Sequence, residues 1–218
     1  MRVVIAGGHG QVAMQLERLL AGRGDQVVGL IRSADQADDL RRVGTVPVLC
    51  DLEHTDTGTV ARHLAGCDAA VFAAGAGPGS GVARKETVDR DAAVLLAEAA
   101  SLSGVRRYLL VSSMGAGAPP PPGTDEVFAA YLRAKSAAED ELRRRALDLT
   151  ILRPGGLTDE KPTGLVALAA DVGRGSVPRA DVAAVLVALL DEPRTAGLTL
   201  ELIGGRAPVQ EAIAALLA

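Results

Sequence analysis

The sequence predicts an α/β fold of the doubly wound type, in which a parallel sheet carries helices on both faces. Short apolar runs alternate with longer stretches in which apolar residues recur at helical spacing. The runs are nearly continuous in apolar character, as strands buried on both faces should be. They cover residues 2–6, 26–31, 46–50, 69–74, 107–112 and 149–153. Repeated strand–helix–strand units imply right-handed crossovers and therefore parallel strands.

The stretches between these runs predict helices with one apolar face. Three such faces contain, in turn, Val12, Leu16, Leu19 and Leu20; Val94, Leu95, Ala99 and Leu102; and Ala134, Ala137, Ala138 and Leu142. Nearer the C-terminus we expect a helix at about 180–190, a strand near 198–203 and a last helix from 209. No linker divides the chain, so we predict one domain over residues 1–218, with 155–180 forming a small C-terminal extension on the substrate side.

The composition of the chain argues against several classes of function. Apolar residues make up 48% of the 218 residues but aromatic residues only 2%, so alanine, valine and leucine must build the core. The net charge is −4 and the basic residues form no stripe, which argues against a nucleic-acid partner. No apolar run approaches the roughly 20 residues of a membrane helix. We therefore expect a cytoplasmic monomer or homodimer whose partner is a small-molecule substrate, with no nucleic acid and no membrane.

Cysteine and histidine give no sign of a metal site. Cys50 and Cys67 lie far apart and in no metal-binding or redox motif, so we expect both to be buried thiols. The histidines His9, His54 and His63 lie at no ligand spacing. The first strand-like run leads into glycines and not into a cleavage site, which argues against a signal peptide.

A glycine-rich turn separates the first predicted strand from the first predicted helix. Gly7, Gly10 and Ala13 form the pattern G-x-x-G-x-x-A within GGHGQVA. The glycines permit a tight turn and a close approach of backbone to a pyrophosphate, and Ala13 lets the helix pack against the strand. The free amides at the helix start, around Gln11 and Val12, would face phosphate oxygens. This context predicts a Rossmann-type dinucleotide site; the alternative is a structural turn.

The end of the second predicted strand indicates which dinucleotide is bound. NAD-binding chains usually place Asp or Glu about 20 residues after the glycines to hold the ribose hydroxyls. This chain has Arg32 followed by Ser33. Because a guanidinium pairs well with a phosphate dianion, we predict NADP, with Arg32 on the 2′-phosphate and Ser33 assisting, and keep NAD as a second option. Arg32 could otherwise be an ordinary solvated residue, and His9 either reaches a phosphate or is exposed.

Further candidate contacts lie at the carboxyl ends of the later strands, where ligands bind in sheets of this type. They are Asp51 and Leu52 after the third strand, Ala73, Ala74 and Gly75 after the fourth, and Ser112 and Ser113 after the fifth. Asp51 is placed to meet an adenine amine or, alternatively, to cap a helix. The small residues after the fourth strand would let a coenzyme pass close to the backbone. The proline-rich segment 116–123 forms either a stiff edge of a cleft or a plain surface connection.

Tyr131 and Lys135 form the pattern Y-x-x-x-K within a stretch of helical periodicity. This spacing places both side chains on one face, one turn apart. An ammonium beside a phenol favours the phenolate, so Tyr131 could exchange a proton with a substrate oxygen. Ser113 could hydrogen-bond the same oxygen, and Lys135 could also hold ribose hydroxyls. Tyr131 could instead only position the coenzyme, or be an ordinary half-buried tyrosine.

Taken together, these residues resemble the short-chain dehydrogenase/reductase superfamily. More narrowly, the chain is similar to its atypical, compact NAD(P)H-binding branch, which is related to epimerase/dehydratase-like and flavin/biliverdin reductase-type proteins. The matching motifs are GGHGQVA, Arg32, Asp51-Leu52, Val111-Ser112-Ser113, Tyr131-x-x-x-Lys135, Leu152-Arg153-Pro154-Gly155 and Pro178-Arg179-Ala180-Asp181-Val182-Ala183. They span essentially the whole chain.

The resemblance implies roles for individual residues. It maps Ser113, Tyr131 and Lys135 onto the catalytic trio, and Gly7, Gly10 and Arg32 onto contacts with the coenzyme phosphates. It also places Arg153, Pro154 and Gly155 where relatives wrap the nicotinamide end, although a proline and a glycine also simply end a strand. The chain departs from many relatives at the end of the fourth strand, which reads Ala-Ala-Gly where they have Asn-Ala-Gly.

These observations predict an NADP-dependent oxidoreductase that acts on a small carbonyl, alcohol or quinone-like substrate. In this hypothesis Tyr131 is the acid/base, Ser113 binds the substrate oxygen and Lys135 tunes the tyrosine. Only about 65 residues follow Gly155, and this number leaves little room for a lobe that binds a nucleotide sugar. Two alternatives stay open: a non-catalytic NADP-binding redox sensor, and an epimerase or dehydratase that retains NAD.

Overall fold

A nine-stranded sheet forms the centre of the molecule and confirms the predicted α/β fold. The computed structural model describes residues 1–77 and 79–218. The strands within them are β1 (Arg2–Ala6), β2 (Gln26–Ile31), β3 (Val46–Leu49), β4 (Ala69–Phe72), β5 (Arg107–Val111), β6 (Asp148–Pro154), β7 (Gly156–Thr158), β8 (Leu165–Ala169), β9 (Ser176–Pro178), β10 (Thr199–Gly204) and β11 (Ala207–Pro208). The sheet order is β11-β8-β10-β6-β5-β4-β1-β2-β3, and β7 pairs with β9 separately.

The strand order reverses at β1, which lies between β2 and β4 and runs parallel to both. From β3 to β10 all neighbouring strands are parallel. The edge beyond β10 differs from the sequence-based expectation, because β8 runs antiparallel to β10 and β11 antiparallel to β8. Ligands bind at such a reversal point in sheets of this class, so the fold directs attention to the carboxyl end of β1.

Helices cover both faces of the sheet. They are α1 (Gln11–Gly22), α2 (Ala37–Arg42), α3 (Thr57–Leu64), α4 (Val82–Arg84), α5 (Ala92–Ser103), α6 (Glu126–Arg143), α7 (Arg179–Asp191) and α8 (Val209–Ala215). Short 3₁₀ turns occupy Ala34–Gln36 and Pro193–Thr195, and a π-helical turn, Lys85–Asp91, leads directly into α5. No helix in the described ranges is both long and apolar enough to cross a lipid bilayer.

The core is divided by the sheet into two clusters of buried side chains. In β1, Val3 and Ile5 pack with α1, α7 and α8, whereas Val4 and Ala6 pack with α3, α5 and α6. This alternation follows from the two-residue period of a strand. Both faces of β1 are therefore buried, as its continuous apolar run predicted.

Two of the predicted apolar helix faces are partly wrong. Leu19 on α1 is 44% exposed and Leu102 on α5 is 67% exposed, while Val94 and Leu95 are only half-buried. The buried face of α5 consists instead of Ala92, Ala93, Leu96, Ala97, Ala99 and Ala100. Small alanine side chains let the helix axis approach the sheet closely, and the bulkier leucines turn outward. The expectation for the cysteines holds for Cys50, which is buried, but not for Cys67, which is half-buried.

Arg107, the first residue of β5, is buried and joins three segments of the chain. Its guanidinium donates hydrogen bonds to the carbonyl oxygens of Asp148 (2.9 Å) and Leu189 (2.6 Å) and to the hydroxyls of Thr150 (2.8 Å) and Thr195 (2.9 Å). Burial lowers the pKa of this guanidinium to about 10. The interaction fixes the C-terminal end of α7 beneath β5 and β6.

Replacement of Arg107 by methionine should lower the free energy of unfolding by about 3 kcal/mol, because several buried acceptors lose a charged donor. Urea unfolding measures this loss. Arg106→Met is the matched control, since Arg106 is exposed and its guanidinium pairs with the exposed carboxylate of Asp148. The control should change stability little. Equal losses in the two variants would contradict the role given to Arg107.

Candidate functional site

A cavity of about 280 Å³ opens at the carboxyl ends of β1, β2 and β4. Nine residues that the sequence predicted as coenzyme contacts line it: Gly7, His9, Gly10, Arg32, Asp51, Leu52, Ala73, Ala74 and Gly75. It is also lined by residues that no motif marked: Leu30, Ile31, Gln36, Cys50, Glu53, Arg84, Val88 and Ala92. The cavity lies where the strand order reverses, which is the expected position of a ligand in this fold.

The floor of the cavity is a close contact between two backbone segments. Gly7 has φ +78°, and a Cβ built there would lie 2.6 Å from Cα of Ala74. A Cβ on Gly10 would lie 3.0 Å from the carbonyl oxygen of Gly7, which accepts a hydrogen bond from the Gly10 amide at 2.8 Å. Glycine is therefore required at Gly7 both by conformation and by space.

The N-terminus of α1 points its free amides towards this turn. The N-cap, Gly10, brings no side-chain cap, and the first turn has no acidic residue. Gln11 is exposed, Val12 is buried, and Ala13 is fully buried against the sheet. The first amides of a helix have no partner within the helix, and the helix dipole makes this end positive. The turn can therefore receive an anion such as a diphosphate.

The mouth of the cavity carries charges of both signs. Arg32 is exposed there, next to the half-buried Ser33, and Asp51 lies at the end of β3. Burial acts to raise the pKa of Asp51, but hydrogen bonds from His54 and from the Glu53 amide hold it below its ordinary value. The positive charge of Arg32 adds to this lowering. Asp51 therefore carries a negative charge beside a guanidinium.

His9 and Glu53 make further polar contacts around the mouth. The Nε2 atom of His9 lies 2.7 Å from Oδ2 of Asp39, so the histidine faces α2 in this structure. Glu53 forms an ion pair with Arg84 and accepts a hydrogen bond from Thr87 at 2.7 Å. The Glu53–Arg84 pair joins the segment after β3 to the start of the π-helical turn.

Tyr131 and Lys135 lie one turn apart on α6, as their spacing predicted, but outside the lining of the cavity. The Nζ atom of Lys135 is 5.8 Å from the centroid of the Tyr131 ring. It donates a hydrogen bond to the carbonyl oxygen of Val111 at 3.1 Å and lies 3.3 Å from Oδ1 of Asp89. Lys135 is only 2% exposed, and Asp89 is fully buried. The ammonium is therefore held by an ion pair that the sequence did not indicate.

The π-helical turn brings a second lysine to the same ring. The Nζ atom of Lys85 lies 5.5 Å from the centroid of Tyr131 and donates to the carbonyl oxygen of Gly77 at 3.0 Å. Asp89, four residues later, also accepts a hydrogen bond from the Ala76 amide at 3.3 Å. Irregular π-helical turns often occur at functional sites, and this one connects the segment after β4 with α6.

Ser112 and Arg153 lie behind the cavity in a buried network around Glu139 of α6. The Ser112 hydroxyl donates to Oε1 of Glu139 at 2.6 Å, and Nε of Arg153 donates to the same oxygen at 2.9 Å. Arg143 donates to Oε2 at 2.8 Å. Burial acts to raise the pKa of Glu139, but the bonds from Arg153 and Ser112 hold it below its ordinary value. This network joins the ends of β5 and β6 to α6.

The remaining predicted residues lie near these strand ends. The Ser113 hydroxyl is half-buried and donates to the Met114 carbonyl oxygen at 3.2 Å. Pro154 ends β6, and the Gly155 amide donates to the Leu202 carbonyl oxygen at 2.8 Å. A Cβ on Gly155 would collide with the carbonyl oxygen of Gly175, so this glycine permits a close approach of two chain segments. Among the residues described, no group of three or more His, Cys, Asp or Glu side chains could hold a metal ion.

Substitution of Gly7 by alanine should destabilise the protein more than the same change at Gly24. Gly24 also has a positive φ, +93°, but a Cβ there meets nothing within 4 Å. Gly24→Ala therefore measures backbone strain alone, about 1 kcal/mol. Gly7→Ala adds a collision with backbone and should cost at least about 1 kcal/mol more in urea unfolding. Equal costs would show that the two segments are free to move apart.

The chain is similar to known proteins in sequence and fold. The NAD(P)H-binding family matches residues 7–193 of the chain. The chain is 35% identical over 214 residues to the uncharacterised sugar epimerase YhfK of Bacillus subtilis, covering 98% of this chain and 99% of that protein. A solved structure from Bacillus halodurans, named as an NAD-dependent epimerase/dehydratase, has a TM-score of 0.91 and 35% identity, covering 99% of this chain and 100% of the other.

A reductase is also among the solved structures with the same fold. ChuY of Escherichia coli O157:H7, named an anaerobillin reductase, has a TM-score of 0.81 at 27% identity and covers 94% of this chain and 97% of its own. These similarities extend over the glycine turn, the cavity and α6. They confirm the resemblance to atypical short-chain dehydrogenase/reductase-like proteins that the motifs indicated, and the chain belongs to the NAD(P)H-binding family.

Proposed function

We propose that the protein is an NADP-dependent oxidoreductase that moves a hydride between nicotinamide and a small carbonyl, alcohol or quinone-like compound. The observation that carries the proposal is the cavity at the end of β1, whose floor is backbone at Gly7 and Ala74 and whose wall is the N-terminus of α1. When bound, the nicotinamide coenzyme supplies or accepts the hydride. The partner is a small molecule, the assembly a monomer or homodimer, and the compartment the cytoplasm.

The residues around the cavity fit a dinucleotide. Gly7, Gly10 and the first amides of α1, at Gln11 and Val12, would hold the diphosphate, because their backbone is bare and this helix end is positive. The small residues of segment 73–75 would let the coenzyme cross the end of β4. His9 would reach a phosphate only after leaving Asp39. Asp51 and Leu52 would border the adenine, since both line the cavity just after β3.

Arg32 supports NADP over NAD. It is exposed at the cavity mouth, and no carboxylate hydrogen-bonds its guanidinium among the residues described. A phosphate dianion is a strong partner for such a group. Ser33 follows it and would add a hydroxyl donor.

Tyr131 would be the proton donor or acceptor at the substrate oxygen, and Ser113 would hydrogen-bond that oxygen. Lys135, fixed by Asp89 and the Val111 carbonyl, would keep a positive charge beneath the tyrosine ring. Ser112 and Arg153 would act indirectly, since both are bound to Glu139, and Pro154 and Gly155 would border the nicotinamide end.

The surroundings of Tyr131 favour a flat, unsaturated substrate. Phe128 is 50% exposed and stacks on Tyr131, with ring centroids 5.9 Å apart and an interplanar angle of 25°. An exposed aromatic face beside the acid/base residue can stack on a conjugated ring. The name of the solved relative ChuY, a reductase, is consistent with this class of reaction.

The names of two relatives favour an epimerase or dehydratase as the second candidate. Segment 155–180 speaks against a large nucleotide-sugar lobe, because it forms only the β7–β9 pair and strand β8 of the main sheet. Purification without added coenzyme separates the candidates. An epimerase that retains NAD should carry it through gel filtration, whereas the proposed reductase should release NADP and bind it again.

Exchange of Arg32 for glutamine should weaken NADPH binding by roughly tenfold or more, because one charge-assisted hydrogen bond is lost. NADH binding should change little. Isothermal titration with both coenzymes measures the difference. Arg41→Gln is the control, because Arg41 is exposed on α2, pairs with Asp38 and does not line the cavity. An equal effect of Arg32→Gln on both coenzymes would count against NADP preference.

Loss of the Tyr131 hydroxyl should abolish most turnover while leaving coenzyme affinity intact. Tyr131→Phe keeps the ring between its two lysines and should lower kcat by roughly 10²–10⁴-fold on a panel of quinones and carbonyl compounds. Tyr108→Phe is the control, since its buried hydroxyl donates to the Ala93 carbonyl oxygen and Tyr108 does not line the cavity. Unchanged turnover in Tyr131→Phe would remove the tyrosine from the mechanism. No turnover in the unmodified protein, with tight NADPH binding, would favour the redox sensor.

A further inference from the structure

Glu17 is a carboxylic acid inside the protein, directly below the candidate coenzyme-binding turn. It lies on α1, is fully buried, and neither carboxyl oxygen has a hydrogen-bond partner among the described residues. An ionised carboxylate without a partner is strongly unfavourable in such surroundings. At this position the carboxyl group must therefore be protonated, or the surrounding structure must rearrange to give the carboxylate a partner.

The space for this carboxyl is created by two glycines. A Cβ on Gly8 would lie 2.9 Å from Oε1 of Glu17, and a Cβ on Gly29 of β2 would lie 2.7 Å from the same oxygen. The Leu40 side chain of α2 closes the pocket from the third side. Gly8 belongs to the coenzyme-binding turn and donates its amide to the Leu30 carbonyl oxygen at 3.0 Å. The carboxyl therefore touches the turn from beneath.

No cation in residues 1–77 and 79–218 forms an ion pair with Glu17. On the elements packed around it, the charged groups pair with one another: His9 and Arg42 with Asp39, and Arg41 with Asp38. On α1 itself, Arg18 bonds Gln15. The side chain of Thr45 borders the same glycine, Gly29, and its buried hydroxyl also has no partner in the described part of the chain. Burial alone raises the pKa of Glu17, to about 8.

We propose that Glu17 is a proton switch of the dinucleotide site: neutral in the folded, binding-competent protein, and, once ionised, a charge that loosens the turn and opposes a bound diphosphate. The effect of the ionised carboxylate on a bound diphosphate rests on the proposed function. The neutral state of Glu17 concerns the folded chain alone and is tested without coenzyme.

The direction of the pH dependence follows from linkage. The ordinary pKa of a glutamate, 4.5, applies to the unfolded chain, and burial raises the folded value to about 8. The stability associated with Glu17 is therefore fully present below about pH 4.5 and is lost as the pH rises towards 8. Above that range the folded protein carries the carboxylate beneath Gly8, where it repels phosphate groups.

Urea unfolding of the coenzyme-free protein between pH 5 and pH 9 tests the neutral state. Relative to Glu17→Gln, the folding equilibrium constant of the unmodified protein should fall by about tenfold per pH unit between roughly pH 5 and pH 8. Glu211→Gln, at an exposed position on α8, is the control and should follow the unmodified protein. Glu17→Met provides a second neutral variant if the glutamine variant fails to fold. The inference would be overturned if the free energy of unfolding changed with pH in the same way in the unmodified protein and in all variants.

Titration of NADPH over the same pH range tests the coupling. The Kd of the unmodified protein should rise with pH above 8, by up to about tenfold per unit, relative to that of Glu17→Gln. A constant ratio of the two Kd values would overturn the coupling while leaving the neutral acid supported by unfolding. If no nicotinamide coenzyme binds either protein, the proposed function fails together with the coupling, and the coenzyme-free unfolding still decides the protonation of Glu17.

Discussion

The close approach of two backbone segments, the turn after β1 and the segment after β4, is the constraint on which the candidate site depends. Because β1 has parallel neighbours on both sides, the chain leaves the sheet towards opposite faces here and a crevice opens between the strand ends. Gly7 and Ala74 meet in this crevice at a distance that leaves no space for a further Cβ. The bare floor then lets α1 present its free amides to the cavity, which a side chain at Gly7 would obstruct.

Buried ion pairs fix α6 against this crevice. Lys135 pairs with Asp89 of the π-helical turn, and Glu139 pairs with Arg153 of β6. A buried pair is weak evidence for stability, since apolar residues of the same volume often stabilise as well or better. The directional contacts of a buried ion pair do, however, specify one arrangement of the elements that the pair joins. Here the two pairs orient α6, which carries Tyr131, relative to the π-helical turn and the end of β6.

The sequence predicted the strands of the parallel sheet well because most of them, unlike the edge strand β3 with its exposed Val46 and Leu49, are continuous apolar runs buried on both faces. It predicted the glycine turn because Gly7 and Gly10 meet a local requirement of conformation and space. The face of α5 was wrong because the helix is apolar nearly all round, and only packing decides that Ala93 is buried and Leu102 exposed. Glu53, Asp89 and Glu139 were missed for a related reason. Glu53 pairs with Arg84, Asp89 with Lys135 and Glu139 with Arg153, all distant in sequence, and an isolated acidic residue has no pattern that reveals such a partner.

The distribution of aromatic rings links composition to the site. The chain has two phenylalanines and two tyrosines, and of these only Tyr108 lies apart, buried in β5 with its hydroxyl bonded to α5. The centroids of Phe72 and Tyr131 lie 5.6 Å and 5.8 Å from Nζ of Lys135, that of Tyr131 also lies 5.5 Å from Nζ of Lys85, and Phe128 stacks on Tyr131. Ring faces beside ammonium groups stabilise the positive charge. The ring of Phe128 is half exposed, so its outer face is open to a planar ligand.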